Sequence, residues 1–163
     1  MSSNKFQMTK FQMTKTNWGN SVWFLFHTLA EKIIDKNFIE QKNNLLELIK
    51  IICSNLPCPE CSSHAIIEIN KINVNNIKSK EDFKLLLLEF HNRVNKKLNK
   101  PLFTMNELNK KYSTANLKAI INNFNIVYNH NTYNEKLLNN TFHKKLQNKR
   151  LYKLLNSILE NCS

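Results

Sequence analysis

The sequence predicts an all-α protein. Its 163 residues are 42% apolar yet include one glycine and three prolines, too little turn punctuation for many short strands. Apolar residues instead recur at three- and four-residue spacing through most of the chain. Residues that start or cap helices stand where those stripes begin. A chain of this length is expected to make one domain with a hydrophobic core and a tail.

The elements follow in order. Phe-Gln-Met-Thr-Lys occurs twice, at 6–10 and 11–15, without a core period, which reads as a local duplication in a flexible arm over residues 1–16. Trp18, Val22, Leu25, Phe26, Leu29 and Ile33 make the first helical stripe, with Asn17 placed to cap it. A second helix is expected from Ile39 to Cys53, with Leu45, Leu48, Ile49 and Ile52 on one face, ending as Pro57 approaches. A third starts at Pro59, where a missing N–H costs nothing, and carries Ala65, Ile66 and Ile69 to about Ile72. Ser79 and Asp82 form a capping pattern ahead of a fourth stripe, Phe83, Leu86, Leu87, Phe90, Val94 and Leu98, which stops before Pro101. His91, Asn92, Asn95, Lys96 and Lys97 fall on its other face. A short helix near Met105 to Tyr112 and weaker patterns over 114–128 and 135–160 complete the chain.

The net charge of +12 attracts anions, whether nucleic acid, acidic lipid or a phosphorylated cofactor. The lysines are scattered, which favours a solvated basic surface over a nucleic-acid face. Apolar runs such as Leu85 to Leu88 are far short of the ~20 residues that span a bilayer. No signal-peptide core is present, so a soluble chain is expected.

Chemistry concentrates at the cysteines. Cys53, Cys58 and Cys61 crowd together, with Cys162 apart near the C-terminus. Cys58-Pro59-Glu60-Cys61 at a helix start can close a small, easily opened disulfide, because the unsatisfied N–H groups and the helix dipole stabilise thiolate. The spacing from Cys53 through Cys58 and Cys61 to His64 also suits a structural zinc site. On the cysteines alone, redox chemistry, zinc binding and inert thiols all stay open. A basic helical nucleic-acid binder is a further alternative, resting on charge.

The surrounding motifs narrow the choice. Trp18-Gly19-x3-Trp23-x3-His27, Leu56-Pro57-Cys58-x2-Cys61-x2-His64-Ala65 and Phe90-His91-Asn92-x-Val94-Asn95-x-Lys97-Leu98-x-Lys100 stand in the order and approximate spacing of the Erv/ALR sulfhydryl oxidases. The chain resembles that family over roughly residues 17–113, and looks most like its members from large cytoplasmic DNA viruses such as poxviruses and African swine fever virus. The resemblance implies a four-helix bundle with a short fifth helix that binds FAD, followed here by a basic helical extension over 114–163. It implies a thiol oxidase that forms disulfides in dithiol proteins, a small thiol-disulfide carrier among them, and passes electrons through FAD to O2. Cys61 would face the flavin and Cys58 the substrate. Gly19, Asn20, Trp23, His27, His91, Asn92, Val94, Asn95, Lys97, Lys100, Lys111 and Tyr112 would hold the cofactor, with no metal. A homodimer, and a viral setting in host cytoplasm or virion, are implied in the same way.

Three departures from the family pattern matter. Leu56 stands where many cellular members have Tyr, and Asn20 where they have Arg. Leu88 and Met105 occupy the positions of a structural disulfide, so the fourth helix is expected to be held by packing alone. Only Cys162 could stand in for the shuttle cysteines of cellular members, and a single thiol makes no complete shuttle.

Overall fold

The computed structural model describes residues 15–134 and 141–163. The arm expected over 1–16 lies outside them except for Lys15 and Thr16, which belong to a helix, and residues 135–140 at the start of the last expected helix also lie outside. Seven α-helices follow one another: α1 (Lys15–Lys32), α2 (Phe38–Ser54), α3 (Pro59–Asn70), α4 (Lys80–Lys97), α5 (Met105–Ser113), α6 (Leu117–Asn134) and α7 (Thr141–Leu159). The described residues contain no strand, only an isolated antiparallel bridge between Ile33 and Cys162.

Local chemistry accounts for several of the helix ends. Cys58 is the N-cap of α3 and Pro59 its first residue, as expected. Ser79 and Asp82 close a reciprocal capping box at α4: the Asp82 N–H donates to Ser79 Oγ at 3.1 Å and the Ser79 N–H to Asp82 Oδ2 at 3.0 Å. At the other end of α4 the Lys100 N–H reaches back to Asn95 O at 2.8 Å and the Asn99 N–H to Lys96 O at 3.3 Å. Asn99 takes φ 54° to make this Schellman turn, doing what glycine does elsewhere. Helix α1 starts at Lys15, ahead of Asn17, which is therefore inside the helix and does not cap it.

Packing groups the helices around α1 and α2. Helix α1 lies against α4, α5 and α6, and α2 lies against α3 and α7. One core joins Leu25, Phe26, Leu29 and Ile33 of α1, Leu45, Leu48 and Ile52 of α2, Phe83 and Leu87 of α4, Phe124 of α6, and Leu151, Leu154, Leu155 and Ile158 of α7. Helices α6 and α7 thus complete the same core as the bundle that precedes them. A second cluster seats α5 on α4 through Leu88, Leu108 and Tyr112, with Met105 packed against it. Packing therefore serves at the two positions where the resemblance placed a family disulfide. Leu98 departs from its expected place: it is 46% exposed, because the stripe of α4 runs past the end of the core there.

The C-terminus is clasped to the end of α1. The Ile34 N–H donates to Asn161 O at 2.9 Å, the Ser163 N–H to Lys32 O at 2.8 Å, and Lys80 Nζ to Ile33 O at 2.8 Å. Helix α7 is also joined to α2 by a bidentate pair, with Arg150 Nε donating to Glu47 Oε1 at 2.8 Å and Nη2 to Oε2 at 2.8 Å. Both of those side chains are more than two-fifths exposed, so water screens the pair and apolar burial decides whether α7 stays docked. Leu155→Ala is expected to lower unfolding free energy by about 3 kcal/mol, whereas Arg150→Ala leaves the urea midpoint nearly unchanged. Equal shifts for the two variants would reverse that ranking.

Candidate active site

A disulfide joins Cys58 and Cys61 at the head of α3, their Cα atoms 5.1 Å apart. The turn that presents it is pinned from both sides: the Leu56 N–H donates to Ser62 Oγ at 2.9 Å and the Ser62 N–H to Cys58 O at 3.0 Å. The Cys61 N–H points at Cys58 Sγ, 3.2 Å away. When the disulfide opens, that donor and the helix dipole favour negative charge on Cys58. Both cysteines are half-buried.

The two sulfurs border different surroundings. Cys61 lies on the wall of a cavity of about 560 Å³ between α1, α3, α4 and α5, and Cys58 does not line it. Pro57, next to Cys58, borders a separate small apolar cleft with Trp18, Val22, Phe124 and Val127. The volume of the large cavity falls in the usual range for an organic ligand. One wall is aromatic, with Trp23 stacked on His91 at 4.0 Å between ring centroids and 8° between planes. Four cations, Arg93, Lys97, Lys100 and Lys111, reach its lining from α4, α5 and the connection between them. Lys111 Nζ stands 4.8 Å from the centroid of Phe24 and 5.4 Å from that of Tyr112, where ring faces hold a cation. Such a lining suits a flat ring system joined to an anionic group, with a disulfide at one end of the space.

Residues 20–113 match the model of the Erv1 / Alr family. The chain belongs to this family. It is 34% identical over 100 residues to a rice (Oryza sativa subsp. japonica) protein named FAD-linked sulfhydryl oxidase ERV1, a match covering 61% of this chain and 51% of the rice protein. An African swine fever virus protein named FAD-linked sulfhydryl oxidase is 32% identical over 104 residues, covering 64% of this chain and 87% of the viral protein. A protein of Invertebrate iridescent virus 3, named putative FAD-linked sulfhydryl oxidase 096R, is 30% identical over 96 residues, covering 58% and 65%. The chain thus spans about half the length of the plant relatives it matches. No solved structure gives a significant match.

Within this Erv1/Alr chain the residues named from sequence divide into two groups. Gly19, Asn20, Trp23, His91, Val94, Asn95, Lys97, Lys100, Lys111 and Tyr112 line the cavity. His27 and Asn92 stand behind it. His27 shares a 2.9 Å hydrogen bond with His91 and stacks on Trp23 and Tyr112. The Asn92 amide is spent on the backbone of Phe103, donating to its carbonyl at 2.8 Å and accepting its N–H at 2.9 Å. That bond holds Phe103 against the cavity. Asn95 donates to Pro101 O at 3.1 Å. His91 and Asn95 are buried, although sequence placed them on the polar face of α4. A Cβ at Gly19 would meet no protein atom within 4 Å, so protein packing does not demand glycine there.

Sequence reading missed Phe24, Phe103, Glu68 and Arg93, all on the lining. Glu68 was the most accessible of these, since it follows Cys61, His64 and Ala65 at helical spacing along one face of α3. His64 itself is exposed on the cavity wall.

The remaining two cysteines form no disulfide, and Cys53 lies on the wall of the same cavity as Cys61. Cys53 is buried and free, its thiol pushed up to about 12 by burial. Cys162 is also free, so the two do not bridge. Burial pushes its thiol up to about 11 against the opposing pull of Lys80. The clasp fixes it beside Ile33, roughly 20 Å along α1 from Trp18, which borders both the cavity and the cleft beside Cys58. The zinc alternative required Cys58 and Cys61 as separate ligands, and the structure joins them to each other.

Burial, then His91 and Lys111, push His27 down to about 3. Burial, then Lys111 and Lys100, push His91 down to about 4. Both imidazoles are neutral in the folded chain at pH 5, while in the unfolded chain they bind protons below about pH 6.5. The unfolded state then carries more protons, so stability falls as pH drops from 6.5 toward 4, by at most about 1.4 kcal/mol per pH unit for each imidazole. Urea unfolding of the cofactor-free protein between pH 7 and pH 5 should show this slope, and a His27→Gln, His91→Gln variant should flatten it. An unchanged slope in the double variant would place the pH dependence elsewhere.

Proposed function

We propose that this chain is an FAD-dependent thiol oxidase that forms disulfides in protein substrates. The observation that carries the reading is the position of the Cys58–Cys61 disulfide, with Cys61 alone of the pair on the wall of the aromatic, cationic cavity. The family and the names of its relatives support FAD as the occupant. Trp23, His91 and Tyr112 would flank its rings, and Lys97, Lys100 and Lys111 would meet its pyrophosphate.

In this reading a substrate thiolate attacks Cys58 Sγ, the Cys58–Cys61 bond breaks, and Cys61 leaves as thiolate on the cavity wall. A second substrate thiolate then attacks the substrate sulfur of the mixed disulfide. The substrate disulfide closes and Cys58 is released as thiolate, where the Cys61 N–H bonds its sulfur. Bound FAD supplies the two-electron acceptor that lets Cys58 and Cys61 close again and hands the pair to O2, which with two protons gives H2O2. The sum is two thiols plus O2 to one disulfide plus H2O2.

Dithiol proteins, a small carrier among them, are the substrates in this reading. The homodimer implied by the resemblance has to meet through surfaces other than those already covered within the chain, since α6 lies along α1 and α7 along α2. The division into a cofactor domain at 17–113 and an extension at 114–163 is part of the same proposal, the two sharing one core.

Purified protein should be yellow, with a flavin absorbance band, and should consume one O2 per dithiol oxidised. Cys61→Ser should abolish oxidation while flavin stays bound, and Cys162→Ser should leave turnover unchanged. Colourless protein that cannot be loaded with FAD would sink the reading. Gly19→Ala separates ligand from fold: the cofactor-free protein should melt about 2–4 °C higher, because alanine favours a helix interior, yet should retain less flavin. Wild-type retention in that variant would remove Gly19 from the cofactor site.

A further inference from the structure

One wall of the cavity is held by charge. Helix α3 packs on α2 and α4 on α1, and these contacts are more extensive than any between α3 and α4. The space between these two helix pairs is the cavity, and residues of both α3 and α4 line it. Glu68 of α3 and Arg93 of α4 form an ion pair there, with Arg93 Nε 2.7 Å from Glu68 Oε2. The carboxylate is the buried partner, its side chain 11% exposed against 47% for the guanidinium. Lys71, one helical turn along α3, donates to the other carboxylate oxygen at 3.2 Å. Burial pushes the Glu68 carboxyl up, but Lys71 and Arg93 together outweigh it and hold the group below the usual carboxylate range. The carboxylate is therefore charged at neutral pH and ready to pair.

We infer that the Glu68–Arg93 ion pair is a latch between the disulfide helix and the cofactor helix, which sets how slowly a bound flavin leaves the cavity. The inference rests on the flavin reading above. Breaking the pair leaves side-chain packing alone to keep α3 against α4, so the wall parts more often and the occupant escapes. Glu68 and Arg93 act as positioning residues, since the chemistry runs through Cys58 and Cys61.

The test uses the full chain loaded with FAD, followed by flavin fluorescence after dilution, with melting of the cofactor-free forms measured alongside. Glu68→Gln and Arg93→Gln should each release FAD about fivefold faster than wild type, and the exchange Glu68→Arg with Arg93→Glu should restore slow release. Singles that release at the wild-type rate would overturn the latch. So would an exchanged pair as fast as the singles, because charge at each position would then act separately. A wild-type chain that takes up no FAD would instead bring down the flavin reading, and the latch with it.

Discussion

Helix α1 has to be sealed on one face and open on another, and the rest of the molecule follows from how it does both. Leu25, Phe26, Leu29 and Ile33 are at most 1% exposed, while Gly19, Asn20 and Trp23 border the cavity. Three helices lie against α1, so it is the best-supported wall of that cavity. Helix α6 braces α1 from outside the cavity: Phe124 joins the core, and the Asn123 amide bonds Ser21 Oγ at 3.3 Å. A cavity of this size survives in a small protein only when its walls are held by packing elsewhere.

The charges around the cavity follow from the same enclosure. Desolvation keeps His27 and His91 neutral, so one ring donates to the other without like-charge repulsion. Cations collect at the end formed by α4 and α5, where Lys111 rests against ring faces. The carboxylates Glu60 and Glu68 come from α3, the helix that carries the disulfide. In the proposed reaction Lys97, Lys100 and Lys111 would draw the anionic part of the cofactor toward α4 and α5.

Much of this was readable from local spacing, and the misses share a cause. The Ser79 and Asp82 capping box was legible because both halves of the interaction lie within four residues. Thr104 and Glu107 carry the same signal and form the same box at α5, but the apolar pattern behind them is too short to draw attention. Periodicity put Leu98 in the core, though the core ends before the helix does. It put His91 and Asn95 on a polar face, though that face is buried. Arg93 looked like any charged residue on a helix surface, because its partner Glu68 lies on another helix.

The sequence by itself determined the helices, the position of the disulfide at the start of α3, and the residue types available for a flavin site. Those properties depend on neighbours three or four positions away, which a helix brings together on its own. Only the tertiary structure decided which polar side chains converge. His27 meets His91 across 64 residues, the C-terminal clasp holds Cys162 beside Ile33, and Asn92 serves the backbone instead of the cavity. A cavity is the gap left between helices that pack elsewhere, so no stretch of sequence encodes it, and its lining appears only once the core is closed.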